Sequence, residues 1–311
     1  MFSRRHPFLF SMIIIAGCFT VIFASLMFFL SSGARMLSSG INENISEFEG
    51  NIGIVEITGM ILASKEVIED IKNFRENEDI QAIILRIDSP GGGIGPSQEI
   101  YREVMKTRAD KKIITSMGSV AASGGYYIAS ATEGIIANPG TITGSIGVIM
   151  EYANLMEIAQ KIGISPVVIK SGEYKDMGSP LRELRETEKQ IFQELVDDLH
   201  KQFVFDVANA RDMDLKIVEK LSDGRVYTGQ QALDLKLVDK LGNLEDAVSW
   251  AGELAGIEGE LEPVYPPPKD DKVSFFKRLI ESVLQDRNIA GIIRNSFSGI
   301  SNKDAQERFR F

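Results

Sequence analysis

The sequence predicts an α/β domain with a largely parallel sheet, preceded by one apolar span. Three observations support this prediction. Residues 8–30 contain no charged side chain. From Asn51 onward, short apolar runs alternate with longer amphipathic runs, as strands alternate with helices around a parallel sheet. The chain has 311 residues, of which 44% are hydrophobic and 25% charged, so it can bury a core of ordinary size.

Composition excludes several classes of function. The net charge is −10, so there is no basic field to attract nucleic-acid phosphates. The single cysteine, Cys18, excludes an intrachain disulfide framework and a multi-cysteine zinc site. Only two histidines, His6 and His200, are present, which restricts any histidine-dependent chemistry.

The apolar run at residues 8–30 predicts a transmembrane helix. At about 1.5 Å per residue it is long enough to cross a hydrocarbon core of roughly 30 Å. It is also longer than the apolar region of a cleaved signal peptide, so we expect an uncleaved anchor, although the small residues 31–34 leave cleavage open. Arg4 and Arg5 place residues 1–7 in the cytoplasm and the main domain outside the membrane. Residues 31–50 are polar and small, which indicates a linker.

The first half of the domain shows clear strand and helix patterns. Apolar runs predict strands at residues 52–57, 82–87 and 112–115. Ser64 is the expected N-cap of a helix that continues to Glu76, and a second helix is expected over residues 96–107. Short strands are then predicted at 134–138 and 145–150, with a Gly/Thr-rich connection between them. Because sites form at the carboxyl ends of parallel strands, the loops after 87 and 115 are the places to look for chemistry.

The second half is mainly helical. Helices are predicted at 155–162, 181–210, 214–221, 230–235 and 244–255, with short strands at 165–170 and 237–239. Thr228 is the expected N-cap of the 230–235 helix. The charges at the start of the long helix are expected to be a solvated face; they are Arg182, Glu183, Arg185, Glu186, Glu188 and Lys189. We assign residues 51–262 to the domain and 263–311 to a proline-rich hinge, an amphipathic segment and a tail. That segment has three possible contacts: the domain, a neighbouring subunit or the membrane.

A stretch of small residues at 116–127 follows the third strand and leads into a helix. It contains three serines, Ser116, Ser119 and Ser123. A serine at a strand-to-helix turn lies near free helix N–H groups, where negative charge is stabilised. The alternative is a tight strand-to-helix connection whose small side chains serve only to pack the two elements together.

A nucleophilic serine needs a base, and both histidines are poor candidates. His6 lies across the predicted membrane span, and His200 lies in an amphipathic helix. The remaining route is a Ser-Lys dyad, which requires a neutral lysine. Lys175, in a Gly/Ser loop, fits best and Lys170 less well. Asp176 follows Lys175 directly, so this hypothesis requires the Asp176 carboxylate to point away.

Acyl transfer also needs donors for an oxyanion. Gly91, Gly92 and Gly93 offer unobstructed backbone N–H groups after a strand, and the N–H of Gly124 follows Ser123. A glycine triplet could equally hold a phosphate. However, the spacing matches neither common nucleotide-binding pattern, so nucleotide binding is disfavoured.

Four segments in series carry a family resemblance: residues 88–93, 119–127, 143–148 and 171–179. Together they closely resemble the signal peptide peptidase A family, which are membrane-anchored serine proteases with the ClpP/crotonase fold. The resemblance covers residues 51–255 and the short, single-domain form. It therefore implies a ClpP/crotonase-like domain of repeated ββα units with a parallel sheet.

By the same resemblance, Ser123 is the nucleophile and Lys175 the general base. Ser145 orients the lysine amine, and the N–H groups of Gly92 and Gly124 form the oxyanion hole. The resemblance implies no metal and no cofactor.

The resemblance also implies a homo-oligomeric ring, an octamer in relatives, in which the serine and lysine of one site come from neighbouring subunits. The implied substrates are remnant signal peptides in the bacterial inner membrane, cut by a domain on the periplasmic side. Two alternatives stay open: a crotonase-type acyl-CoA enzyme, and a non-catalytic membrane scaffold of the same fold.

Overall fold

A single eight-stranded sheet organises the protein in its computed structural model, which describes residues 50–267. The predicted transmembrane segment, almost all of the linker, and the amphipathic segment and tail after residue 267 lie outside the described residues. Between residues 50 and 267, no helix has both the length and the apolarity needed to cross a bilayer. The compact unit that contains the sheet ends at Val264.

The sheet is almost wholly parallel. Its main strand order is β6-β5-β3-β2-β1-β8, while β4 pairs with β3 and β7; only the β5–β6 pair is antiparallel. The strands are β1 (Ile52–Ile61), β2 (Ala82–Gly92), β3 (Lys112–Ala122), β4 (Ile135–Ala137), β5 (Ile142–Gly144), β6 (Val226–Thr228), β7 (Lys240–Leu241) and β8 (Pro263–Val264). The prediction of an α/β fold with a mainly parallel sheet is confirmed.

Eight helices connect and cover these strands within the described residues. They are α1 (Lys65–Glu76), α2 (Ile94–Asp110), α3 (Gly124–Ser130), α4 (Met156–Lys161), α5 (Glu186–Ala210), α6 (Leu215–Leu221), α7 (Gly229–Asp234) and α8 (Leu244–Ala255). The Thr228 cap is confirmed, since its hydroxyl accepts a hydrogen bond from the Gln231 amide. Ser64 precedes α1 as expected, but its hydroxyl donates to Glu99 instead of capping the helix.

Two apolar layers hold the sheet. The larger layer packs Phe74, Tyr126 and Phe203 from the helices against strand residues such as Leu85. The smaller lies on the other face, where Ala247 and its neighbours in α8 cover Ile54, Ile84 and Ile114. Burial on both faces explains why β2 begins as a continuous apolar run.

The third strand changes its neighbour along its length, and this change positions the site. Thr115 and Ser116 pair with β4, whereas Val120 to Ala122 pair with β5. The predicted strand at 112–115 therefore continues to Ala122, and the small-residue stretch is mostly strand. Ser123 therefore follows the end of this strand directly, where β2 and β5 are the two neighbouring strands.

Several predicted boundaries are wrong. The strand predicted at 145–150 is not formed, and a strand lies instead at Ile142–Gly144. The positive φ of Gly144 and Ser145, 78° and 51°, ends the extended conformation there. Residues 165–170 form no strand, since no described strand pairs with them. The strand predicted at 237–239 lies at Lys240–Leu241, because the amides of Leu237 and Val238 both donate to the Ala232 carbonyl and stay in a turn.

The beginning of the long helix also differs from the prediction. It starts at Glu186, not at residue 181. Glu188 does not belong to a solvated face: its side chain is 0% exposed and accepts hydrogen bonds from Arg182 and Arg185. Three charges of that predicted face instead form a cluster, in which a buried Glu188 is bound by a partly exposed Arg182 and an exposed Arg185.

Candidate active site

Ser123 lies where β3 ends and α3 begins. It has φ 52° and ψ −119°, a conformation that a non-glycine residue rarely adopts. Its amide donates to the Gly144 carbonyl at 2.9 Å and its carbonyl accepts from the Tyr127 amide at 2.8 Å, so the backbone is fixed on both sides. Within the described residues its hydroxyl has no hydrogen-bond partner. Strain of this kind is concentrated at functional sites, where it holds a side chain in a useful position.

The glycine turn after β2 is anchored to the neighbouring strand. The Gly93 amide donates to the Ile61 carbonyl at 2.8 Å. Ser89 is fully buried; its hydroxyl donates to the Gly59 carbonyl at 2.6 Å and accepts from the Gly91 amide at 3.1 Å. A Cβ added to Gly92 would lie 2.3 Å from the Ile61 carbonyl oxygen. Backbone packing therefore requires glycine at this position.

The turn brings two backbone amides together beside Ser123. A Cβ on Gly91 would lie 2.8 Å from the Gly124 nitrogen and 2.8 Å from the Ser123 Cβ. A Cβ on Gly124 would lie 3.3 Å from the Gly92 nitrogen. Gly124 is the first residue of α3, where the N–H has no partner inside the helix. The Gly92 and Gly124 amide nitrogens thus both lie close to Ser123.

Ser145 reaches the same place from the adjacent strand. Ala122 pairs with Gly144 in the parallel ladder. Ser123 and Ser145 are the residues that directly follow this pair on the two strands. Ser145 also has a positive φ, 51°, and its amide donates to the Arg225 carbonyl at 2.8 Å. A Cβ on Gly144 would collide with the Tyr227 ring at 2.6 Å, which explains the glycine there.

A cavity of about 500 Å³ joins these groups. Ser123, Ser145, Gly92 and Gly124 all line it. Much of the remaining wall is apolar and comes from α5 and the segment after Ser145; this part includes Val148, Ile149, Met150, Val196, Leu199 and Phe203. Such a lining fits an apolar peptide side chain better than a charged one.

Tyr127 closes one side of this cavity. Its ring stacks on Phe203 with centroids 4.3 Å apart and meets Tyr101 edge-on at 5.3 Å. Its hydroxyl donates to the Asp206 carboxylate. Burial, together with Asp206, holds the pKa of Tyr127 above its usual range, so the phenol stays protonated.

Lys175 does not line the cavity of the single chain. It lies in an exposed turn, where its amide donates to the Gly172 carbonyl at 3.3 Å. Asp176 points to other partners, as the Ser-Lys hypothesis requires: its carboxylate accepts from Lys170 at 2.6 Å and from Arg182 at 2.9 Å. These two cations hold the pKa of the Asp176 carboxyl well below its usual range, with Arg182 as the larger influence.

The described lining of the cavity includes no lysine, histidine or carboxylate. His200 lines a different cavity, with Val204, Phe205 and Leu215. Ser123 therefore has no base from its own chain among residues 50–267, and His200 is not a member of a triad with it.

Two residues of the site were missed by sequence reasoning. Ser97 is fully buried, lines the cavity and donates to the Gly93 carbonyl at 2.9 Å. Ser89 holds the glycine turn through its hydrogen bonds with the Gly59 carbonyl and the Gly91 amide. The Ser-Pro-Gly order at 89–91 was a signal for Ser89, because serine favours turns. Ser97 lies in a helix and carries no comparable local signal.

Two models of protease families match this chain. The model of peptidase family S49 matches residues 105–258, and the model of the Clp protease family matches residues 54–143. A Synechocystis protein that carries the name protease is 46% identical over 221 residues, which cover 70% of this chain and 79% of that protein.

Two further relatives are similar over shorter shares of their length. The Enterococcus faecium protein named signal peptide peptidase SppA is 41% identical over 182 residues, 58% of this chain and 53% of that protein. The Arabidopsis thaliana chloroplastic serine protease SPPA is 35% identical over 206 residues, 66% of this chain and 30% of that protein. The chain thus spans most of the first relative and about half or less of the other two.

Proposed function

We propose, since the chain belongs to peptidase family S49 and is a serine peptidase, that Ser123 is its nucleophile and Lys175 its general base. Family membership sets aside the acyl-CoA alternative. The observation that carries the assignment of Ser123 is its strained position at a helix N-terminus, beside the Gly92 and Gly124 amides and inside an apolar cavity.

The proposed reaction follows from these groups. A neutral Lys175 amine takes the proton of the Ser123 hydroxyl as its oxygen attacks the substrate carbonyl. The Gly92 and Gly124 amides donate to the oxyanion that forms. The lysine then gives its proton to the leaving amine, and a water molecule, activated by the same lysine, hydrolyses the acyl-enzyme. Ser145 hydrogen-bonds the lysine amine and orients it.

Lys175 is proposed to enter the site from a neighbouring subunit of a homo-oligomeric ring, an octamer by family resemblance. Two observations support this. Lys175 does not line the cavity of its own chain. The segment that carries it exposes large apolar side chains, with Val167 88% and Ile169 96% exposed. A monomeric protein rarely exposes such a surface, so a second copy of the chain is the natural partner.

The proposed substrates are apolar peptides, and specifically remnant signal peptides left in the membrane after preprotein processing. The apolar lining of the cavity supports this choice, because signal peptides are rich in apolar residues. We propose that residues 8–30 anchor the protein in the bacterial inner membrane, with the domain of residues 51–262 on the periplasmic side.

Labelling with a serine-reactive fluorophosphonate tests the nucleophile. Ser123→Ala should lose both labelling and cleavage of a fluorogenic signal-peptide analogue, while Ser119→Ala, an exposed serine of the same strand, should retain both. Unchanged cleavage by Ser123→Ala would refute the assignment. A parent protein that neither labels nor cleaves would favour the non-catalytic scaffold.

Mixed oligomers test the shared site. Ser123→Ala and Lys175→Ala chains should each be inactive, whereas co-assembled rings should recover activity because some interfaces pair an intact serine with an intact lysine. Rings shown by mass spectrometry to be mixed, yet without activity, would contradict a shared site.

A further inference from the structure

A cluster of charged side chains surrounds the turn that carries Lys175. It consists of Lys170, Glu173, Asp176, Arg182, Arg185 and Glu188, which we call the turn cluster. Three of its members are cations and three are carboxylates, so the cluster without Lys175 is neutral.

Each carboxylate of the turn cluster has a cationic partner other than Lys175. Asp176 is paired with Lys170 at 2.6 Å and Arg182 at 2.9 Å, and Glu173 with Arg185 at 3.3 Å. The third carboxylate, Glu188, is held by Arg182 at 2.7 Å and Arg185 at 2.6 Å. Among the described residues, no carboxylate oxygen lies within 4.0 Å of the Lys175 amine.

Lys170 also fixes the shape of the turn. Its amine donates to the Glu173 carbonyl at 2.7 Å and to the Asp176 carboxylate at 2.6 Å, so one side chain binds the chain on both sides of Lys175. Arg182 adds a hydrogen bond from Nη2 to the Asp176 carbonyl at 3.0 Å. The buried Glu188 holds the Arg182 guanidinium in place through two further hydrogen bonds.

We infer that Lys170 and Arg182 are positioning residues that neutralise Asp176 and fix the turn, so that Lys175 stays without a carboxylate partner. This inference rests on the proposed role of Lys175 as the base. A lysine paired with a carboxylate stays protonated and cannot accept the serine proton, and Asp176 is its direct neighbour in the chain. The Lys170 amine is itself paired with the Asp176 carboxylate, so Lys170 is a poorer candidate for the general base than Lys175.

The test compares pH profiles of kcat/KM for the purified full-length chain on a fluorogenic apolar peptide. Lys170→Gln removes one cation from Asp176 and leaves a carboxylate oxygen free to pair with Lys175. The acidic limb of its profile should move to higher pH by about one unit. At a fixed pH on the acidic side, this shift is a roughly tenfold loss of kcat/KM. Lys170→Arg keeps the cation, so its acidic limb should coincide with that of the parent.

The double variant Lys170→Gln/Asp176→Asn separates charge from structure. Without the carboxylate, the acidic limb should return to the parental pH even though the Lys170 contacts are lost. An upward shift that persists in the double variant, or a Lys170→Gln limb that coincides with the parent, would overturn the inference. If Lys170→Gln does not fold, the Asp176→Asn variant is measured alone. An upward shift of its acidic limb contradicts the inference, and an unshifted limb supports it.

Ser123→Ala and Lys175→Ala distinguish this inference from the proposed function. Turnover in either variant defeats the assignment of the dyad itself. If both are inactive while the Lys170 variants behave like the parent, only the role of the turn cluster fails.

Discussion

Replacing Gly91 by alanine is the sharpest test of the site geometry. Gly91 has φ 106°, a conformation that side chains disfavour, and the added Cβ would lie 2.8 Å from both the Ser123 Cβ and the Gly124 nitrogen. The backbone strain costs about 1–3 kcal/mol and the overlap costs about 1–3 kcal/mol. We therefore expect Gly91→Ala to lower the free energy of unfolding by about 2–6 kcal/mol.

The same substitution should reduce activity even in the fraction that stays folded. Relief of the overlap pushes Ser123 and the Gly124 amide away from their positions. Loss of one oxyanion donor costs about 10²–10³ in kcat. Fluorophosphonate labelling and peptide cleavage, measured on protein shown to be folded by circular dichroism, report the effect.

Gly95→Ala is the matched control, since a Cβ there meets no atom within 4 Å and the residue lies in α2. It should retain full activity and at least the parental stability, because alanine is a better helix former than glycine. A Gly91→Ala protein with parental stability and labelling would refute the close approach of Gly91 to Ser123 and to the Gly124 amide.

Three further predictions concern stability. Glu188→Gln tests the buried carboxylate: Arg182 and Arg185 hold the pKa of Glu188 below its usual range, so its stabilisation is complete above the ordinary pKa of 4.5 and is lost as the pH falls below it. Between pH 7 and pH 3, Tm should fall more steeply in the parent than in Glu188→Gln, and parallel curves would contradict this. Tyr126→Phe leaves the buried Leu237 carbonyl without its donor and should cost about 1–3 kcal/mol in urea unfolding; a variant as stable as the parent would show that this bond contributes nothing. Thr228→Ala removes the α7 cap and should cost about 1 kcal/mol, whereas Thr228→Ser should retain most of the stability, and equal losses would argue against capping.

Local patterns were sufficient for much of the fold. The apolar run at 82–87 predicted a central strand because both of its faces are buried. Helix α8 lies at Leu244–Ala255 as predicted, where Asn243 caps its start and Gly256, in the left-handed conformation, ends it. These signals act over a few residues, so the sequence displays them directly.

Residues 145–150 and 165–170 show where local patterns fail. Both runs are apolar enough for strands, yet one is diverted by positive φ at Ser145 and the other has no partner strand among the described residues. A strand depends on its ladder partner, which lies elsewhere in the chain. Glu188 illustrates a different limit. Its arginine partners lie only three and six residues away, but the sequence does not display the burial that distinguishes Glu188 from an exposed helix charge.

The sequence by itself determined the class of domain, the serine-containing stretch and, through its shortage of histidine, the choice of lysine as the expected base. Tertiary structure decided which groups meet. Ser123 and Ser145 lie side by side because Ala122 pairs with Gly144, and the glycine amides reach them because β2 ends beside β3. Lys175, by contrast, lies outside the cavity of its own chain. The spacing of residues within one segment can be read from the sequence, whereas the proximity of two segments is set by strand order and packing.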